Sequence, residues 1–178
     1  MSKDRKGLTG LLIVIGIIAI LGTVACSDVG CLDNRSSIPY AGFYSSSTMQ
    51  AITVDSIEIG GINAPDDSLL VVAGERLSQV YLPFRFEYDN TAFFIRYVNE
   101  DLKPYNLADT LWFTYTSTPY FASEDCGAMY RYRLNSFSYT RILIDSIAIT
   151  DSLITNTDIE RIKIFFRTSA DEEEGGLQ

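Results

Sequence analysis

The sequence predicts an all-β protein, an antiparallel β-sandwich of the immunoglobulin-like or a related Greek-key type, preceded by an N-terminal apolar signal helix. After Cys26, eight or nine short segments alternate apolar and polar residues, or are rich in β-branched and aromatic residues, at spacings of 8 to 15 residues. No stretch after Cys26 has the apolar spacing of a long amphipathic helix. We therefore expect residues 49–168 to form the sandwich domain.

The predicted strands are separated by turns rich in glycine, proline, asparagine and aspartate. Residues 77–88 and 91–98 both alternate and are expected to pair as a hairpin, with Pro83 pushing the first toward a sheet edge. A turn is expected over residues 120–127. The other expected strands are residues 51–59, 69–72, 110–116, 129–140, 142–149 and 158–167.

Two terminal segments are expected to lie outside the sandwich. Residues 26–48 are mixed and small, which indicates a tether that leads into irregular structure or a first edge strand. Tyr40, Phe43 and Tyr44 in that segment are expected to contact the body of the domain. Residues 169–178 are acidic and rich in glycine, so we expect them to be disordered.

The first 25 residues have the layout of a secretory signal. A head with Lys3, Arg5 and Lys6 precedes an uncharged, mostly aliphatic stretch of 18 residues, 8–25, and small residues lead directly to Cys26. This pattern predicts a lipoprotein signal peptide over residues 1–25 and acylation of the Cys26 sulfur. Two or three acyl chains, palmitate among them, hold a protein stably on a membrane.

An uncleaved membrane anchor is the alternative for the same stretch. Its 18 residues are close to the roughly 17 to 25 that a spanning helix needs. The polar residues directly after the cysteine favour cleavage. The position three before the cysteine counts against it, because this chain has Thr23 where lipoprotein signals usually have Leu. Ser27 resembles an outer-membrane sorting signal, because the inner-membrane retention signal typically has Asp at that position.

The net charge and the cysteines limit which functions and which compartment the sequence favours. Removal of residues 1–25 would leave 153 of 178 residues with a net charge of −11, which disfavours binding to nucleic acid. With Cys26 acylated, Cys31 and Cys126 remain as an even pair in an oxidising compartment, and we predict a disulfide between them. Two separate thiols are the alternative. The chain contains no histidine, the commonest general base and metal ligand.

The sequence offers candidates for a glycan site and for a calcium site, and neither has a strong motif. The aromatic residues Trp112, Tyr115 and Tyr120, with Tyr130 and Tyr132, are candidates for a glycan platform, although core packing explains them as well. Aspartates in turns are candidates for calcium ligands, although Asp has a local hydrogen-bonding role in turns. These aspartates are Asp55, Asp66, Asp67, Asp145 and Asp151.

No catalytic motif is present in the sequence. We find neither GxSxG nor SxxK nor a cluster of metal ligands, and the neighbouring Glu124 and Asp125 are expected to face different ways on a turn. The sequence therefore predicts a protein that is not an enzyme and needs no metal or cofactor. A hydrolase whose carboxylates converge from distant strands is the alternative.

Four features together resemble a known group of proteins: Cys26, Cys31, the turn SEDCG at 123–127, and the pair of Asp-Ser-Ile segments at 55–57 and 145–147. The chain resembles an uncharacterised family of small envelope lipoproteins, of unknown function, in Bacteroidota. The resemblance implies a lipid-anchored cell-envelope protein of the outer membrane that works beside an outer-membrane β-barrel protein. We expect a non-enzymatic binding or accessory subunit, with a glycan-binding module as the alternative.

Overall fold

The computed structural model describes residues 36–168, which form two β-sheets packed face to face. The prediction of an all-β sandwich is confirmed. The predictions for the signal peptide 1–25, for Cys26, for Cys31 and for the tail 169–178 fall outside the described residues and stay predictions. Within residues 36–168 no helix is both long enough and apolar enough to cross a membrane.

Ten strands and two short 3₁₀ turns make up the fold of residues 36–168. The turns are Pro65–Asp67 and Lys103–Tyr105. The strands are β1 Tyr40–Ser45, β2 Ile57–Gly61, β3 Leu69–Val71, β4 Gln79–Tyr81, β5 Asn90–Tyr97, β6 Ala108–Ser123, β7 Gly127–Tyr139, β8 Ile144–Ile149, β9 Leu153–Ile154 and β10 Glu160–Phe166.

In the part of the chain that the structure describes, the larger sheet has six strands in the order β3-β2-β5-β6-β7-β9, and every neighbouring pair is antiparallel. Its inner face carries alternate residues such as Phe93 and Ile95 of β5 and Leu111 and Phe113 of β6, all buried. The alternation read from the sequence is the direct cause, because successive side chains of a strand point to opposite faces. This sheet provides most of the aromatic part of the core.

The smaller sheet has the order β4-β1-β10-β8, and its central pair, β1 and β10, runs parallel. We expected residues 26–48 to contain irregular structure or an edge strand. That expectation is wrong for Tyr40–Ser45, which lies between two other strands and buries Ala41 and Phe43 completely. The expectation that Phe43 contacts the body is confirmed, since its ring packs edge-on against Phe166 at 5.5 Å.

The hairpin predicted from residues 77–88 and 91–98 does not form. Only Gln79–Tyr81 of the first segment is a strand, and it pairs with β1 in the smaller sheet. The second segment becomes β5 and pairs with β2 and β6 in the larger sheet. Pro83 follows the short strand and lacks an amide proton for a ladder, so the chain leaves one sheet there and crosses to the other.

The hairpin of β6 and β7 is longer than the sheet that contains it. The last pair of β6 with β5 is Thr114 with Asn90, whereas pairing with β7 continues to Ser123. The turn expected over 120–127 is therefore confined to residues 124–126. The Ser123 hydroxyl accepts a hydrogen bond of 3.0 Å from the backbone amide of Cys126. We call the outer part of this hairpin, residues 117–131, the arm.

Candidate functional site

An aromatic patch is exposed on the inner face of the arm. Phe121 is 67% exposed, and on the same face Pro119 lies opposite the exposed Tyr130. Phe86, also exposed, stacks on Tyr130 with ring centroids 4.4 Å apart. We call these four residues, Phe86, Pro119, Phe121 and Tyr130, the arm patch. Exposed apolar and aromatic residues that cluster in this way are typical of surfaces that bind other proteins.

The arm patch is held in place by the segment that crosses the base of the arm. Phe84 in this segment is buried and stacks on Tyr115 at 4.3 Å. The Tyr115 hydroxyl donates to the Arg85 carbonyl at 3.0 Å and accepts from the Arg85 amide at 3.1 Å. The hydroxyl of Tyr132 donates to the Phe84 carbonyl at 3.3 Å. Phe86 follows directly, so its position over Tyr130 is fixed by buried neighbours.

The structure does not bring the three predicted ligand-binding aromatics onto one surface. Tyr115 is 1% exposed and faces the core, where burial raises the pKa of its hydroxyl. Trp112 is 42% exposed on the outer face of the larger sheet. Tyr120 is half-buried on the arm and donates to Asn156 at 2.9 Å. Trp112 and Tyr120 are eight residues apart on one strand, about 27 Å, too far for one sugar ring.

The exposed side chain of Trp112 nevertheless lies beside small residues. Its cross-strand neighbours are the small residues Ala92 and Ser138. Two exposed hydroxyls lie farther along the same face, where Thr114 and Ser136 share a hydrogen bond of 2.7 Å. The indole is thus exposed on a face that also carries hydroxyl groups.

The most polar site of the core surrounds Asp109, and no sequence motif pointed to it. This carboxylate is fully buried and accepts five hydrogen bonds of 2.6 to 2.9 Å. Two come from the hydroxyls of Tyr97 and Thr140. The other three come from the backbone amides of Ile142, Leu143 and Ile144.

The hydrogen bonds to Asp109 decide its protonation state. Burial raises the pKa of the carboxyl, but the bonds from Thr140, the Ile142 amide, Tyr97 and the Ile144 amide outweigh burial, and the net pKa is lowered. The pKa of Tyr97 is raised, first by burial and then by its bond to Asp109. All partners of this carboxylate belong to the fold itself, so the site fixes the connection between β7 and β8.

The acidic residues considered as calcium ligands or as catalytic groups do not gather into one metal site among the described residues. Among residues 36–168 no three acidic or cysteine side chains come together in a way that could hold a metal ion. Of the proposed calcium ligands, Asp145 lies 3.7 Å from Arg167 and Asp151 lies 3.5 Å from Arg161 in ion pairs. Glu124 and Asp125 are exposed on the turn at the tip of the arm.

Comparison with known proteins identifies a family without identifying an activity. Residues 52–166 match the family of unknown function DUF6452. The chain belongs to this family. No curated protein and no solved structure matches it significantly. The matched range contains the arm, the arm patch and Asp109, so all of these features belong to the family domain.

Proposed function

We propose that this DUF6452 chain is a lipid-anchored cell-envelope protein that acts as a non-enzymatic binding or accessory subunit of an outer-membrane assembly. The arm patch is the observation that carries the proposal. Phe121 and Tyr130 lie on the two-stranded arm, Phe86 stacks on Tyr130, and none of the three rings belongs to the core cluster. Burial of such residues against a partner recovers the free energy that their exposure to water costs.

The N-terminal sequence supports the membrane part of the proposal. The apolar stretch 8–25 that ends at Cys26 resembles lipoprotein signals, and Ser27 resembles an outer-membrane sorting signal. The resemblance to small envelope lipoproteins of Bacteroidota points to an outer-membrane β-barrel protein as the partner class. A tethered protein with an exposed docking surface needs little intrinsic affinity, because the tether raises the local concentration of the partner.

Recovery of a partner from detergent-solubilised membranes tests the proposal. The tagged full chain is expressed at native level, and the double variant F121A/Y130A is compared with Y105A. Tyr105 is a suitable control because it is 72% exposed and lies just before β6, at the end of the sandwich opposite the arm tip. We expect one envelope protein to be recovered with wild type and Y105A, and at least tenfold less with the double variant. Recovery of the chain alone in every case would contradict the proposal.

Trp112 favours a glycan-binding module as a second candidate. An exposed indole flanked by Ala92 and Ser138 can stack on the apolar face of a sugar ring, and the hydroxyls of Thr114 and Ser136 can bond its hydroxyls. This candidate predicts retention on an insoluble polysaccharide that W112A abolishes and F121A leaves unchanged. Equal retention of wild type and W112A would remove it.

A further inference from the structure

A cavity of about 190 Å³ opens between the loop that follows β2, strand β3 and the segment that crosses from one sheet to the other. Its lining is mostly apolar. The exposed Ile62 and Leu70 form its rim, Pro83 forms a wall, and the buried Phe93 forms its floor. An apolar cavity of about 150 Å³ is large enough to bind benzene, whereas pockets for drug-sized ligands exceed about 300 Å³. The cavity therefore fits one aromatic ring with small substituents.

A buried hydroxyl also lies on the floor of this cavity. Thr91 is only 8% exposed, lines the cavity and precedes Phe93 by two residues, so both side chains point from β5 to the inner face of the sheet. Among residues 36–168 the Thr91 hydroxyl has no hydrogen-bond partner. A buried hydroxyl without a partner costs free energy. A ligand that supplies the missing hydrogen bond therefore gains affinity.

Arg85 is the one charged residue of the cavity lining, and it is exposed at the rim. Its backbone is held by the two hydrogen bonds with the Tyr115 hydroxyl, and its guanidinium carbon lies 4.2 Å from the centre of the Tyr88 ring. None of the ion pairs in the described part of the chain includes Arg85. A guanidinium that stacks on a ring keeps its N–H groups for a carboxylate, which it binds with two parallel hydrogen bonds.

We propose that this cavity binds a phenolic carboxylate, a ligand with a hydroxyl on an aromatic ring and a carboxylate a few bonds from that ring. The ring packs on Phe93, the phenolic hydroxyl bonds the Thr91 hydroxyl at the floor, and the carboxylate pairs with Arg85 at the rim. Free phenolic acids and the C-terminal tyrosine of a peptide share this chemistry. The site is independent of the proposed docking function, because no residue of the arm patch lines the cavity.

Titration calorimetry of the full chain in lipid nanodiscs, with the signal of empty nanodiscs subtracted, tests the site. We expect saturable binding of para-hydroxyphenylpropanoate with a Kd of about 1 mM or lower, the range for a ligand of about a dozen non-hydrogen atoms. Phenylpropanoate lacks the hydroxyl and should bind about fivefold more weakly. The uncharged para-hydroxyphenylpropanamide should bind about tenfold more weakly, because it loses a charge-assisted pair.

Two variants assign the binding to this cavity. R85Q should weaken the binding of para-hydroxyphenylpropanoate about tenfold. Its matched control, R76Q, makes the same substitution at an exposed arginine outside the lining and should leave the binding unchanged. T91V removes the hydroxyl at nearly constant size, so it should give para-hydroxyphenylpropanoate and phenylpropanoate the same affinity. It should also leave the protein as stable as wild type, because the hydroxyl has no partner to lose.

Each result decides the proposal. Absence of saturable binding by wild type, or equal affinity for the three ligands, overturns it, and neither measurement needs a variant to fold. Binding by wild type that R85Q and T91V both leave unchanged overturns it too, because the ligand then binds elsewhere. A tetrapeptide that ends in tyrosine separates the two sources of the ligand. Tighter binding of this peptide than of the free acid supports a peptide C-terminus, and equal or weaker binding supports a free phenolic acid.

Discussion

The two halves of β6 obey the same alternation but have opposite surroundings. In the first half, Leu111, Phe113 and Tyr115 point inward and are buried between the two sheets. In the second half, Pro119 and Phe121 point to the same side of the strand and are exposed. The difference arises because β5 accompanies the first half only, while the second half has β7 as its described ladder partner.

This contrast separates stability from recognition along a single strand. The sandwich half of β6 buries its aromatic rings. Its buried carboxylate, Asp109, accepts hydrogen bonds from other residues of the fold. The arm half of β6 leaves the ring of Phe121 exposed to water, and an exposed ring does not stabilise the core. Segments with few buried contacts contribute little to global stability and are the ones available for binding. The following substitutions are given in order of expected effect. Loss of the predicted disulfide acts mainly through the unfolded chain, and the three pairs of substitutions after it test this separation.

Loss of the predicted disulfide is expected to cost at least as much as any substitution below, because the bond would join the arm tip to the start of the domain. A bond between Cys31 and Cys126 closes a loop of 95 residues. In the chain-entropy model, C126S should lower the free energy of unfolding by about 4 kcal/mol. Urea denaturation measures the change, and reductant should shift wild type but not C126S. An identical midpoint for wild type with and without reductant would show that no such bond contributes.

The pair F113A and F121A compares the same substitution on one face of one strand. Phe113 is 1% exposed and packs near Phe84 and Phe93, with ring centroids 5.5 and 6.4 Å away. Its truncation leaves a cavity and should cost about 4 kcal/mol. Truncation of Phe121 should change stability by less than about 0.5 kcal/mol. Similar losses in chemical denaturation would mean that the arm belongs to the core.

The pair D109N and D125N compares a buried carboxylate with an exposed one on the arm turn. The amide nitrogen that D109N introduces would face hydrogen-bond donors, so D109N should cost about 3 kcal/mol at pH 7, and D125N less than about 0.5 kcal/mol. The lowered pKa of Asp109 gives the sign of the pH effect. Its contribution is present above the unfolded value and is lost as pH falls through the folded value. The stability curves of wild type and D109N should therefore converge in acid, below about pH 4.

The pair Y97F and Y120F compares two hydroxyls. The Tyr97 hydroxyl donates to the buried Asp109 at 2.7 Å, and its removal should cost about 2 kcal/mol because the acceptor is charged. The Tyr120 hydroxyl donates to Asn156 on the half-buried arm, and its removal should cost less than about 1 kcal/mol. Thermal unfolding measures both. A loss of stability for Y120F as large as that for Y97F would contradict the separation of stability from recognition along β6.

The alternation of residues was sufficient to predict the sandwich and most of the larger sheet. The segments that became β5 and β7 were predicted close to their true bounds, because their apolar residues recur at every second position. The end of β6 was predicted too early. The predicted strand stopped at residue 116, but Thr118 and Pro119 continue it because β7 supplies the ladder on one side.

Features that depend on distant residues escaped prediction. β1 contains Gly42, a poor strand former, and the carboxylate of Glu160 on the neighbouring strand occupies the space beside it. Asp109 was missed because its donors lie 12 to 35 residues further along or back in the chain. The arm patch was missed because Phe86 and Tyr130, 44 residues apart, meet only in three dimensions.

The parallel pairing of β1 with β10 also constrains how the chain is made. Tyr40 pairs with Glu160, which follows it by 120 residues, so the smaller sheet cannot close until nearly the whole domain has been synthesised. Until then the buried faces of Ala41 and Phe43 lack their partner strand, and contacts of such long range form slowly. The nascent chain therefore exposes the apolar side chains of β1 until Glu160–Phe166 has been synthesised.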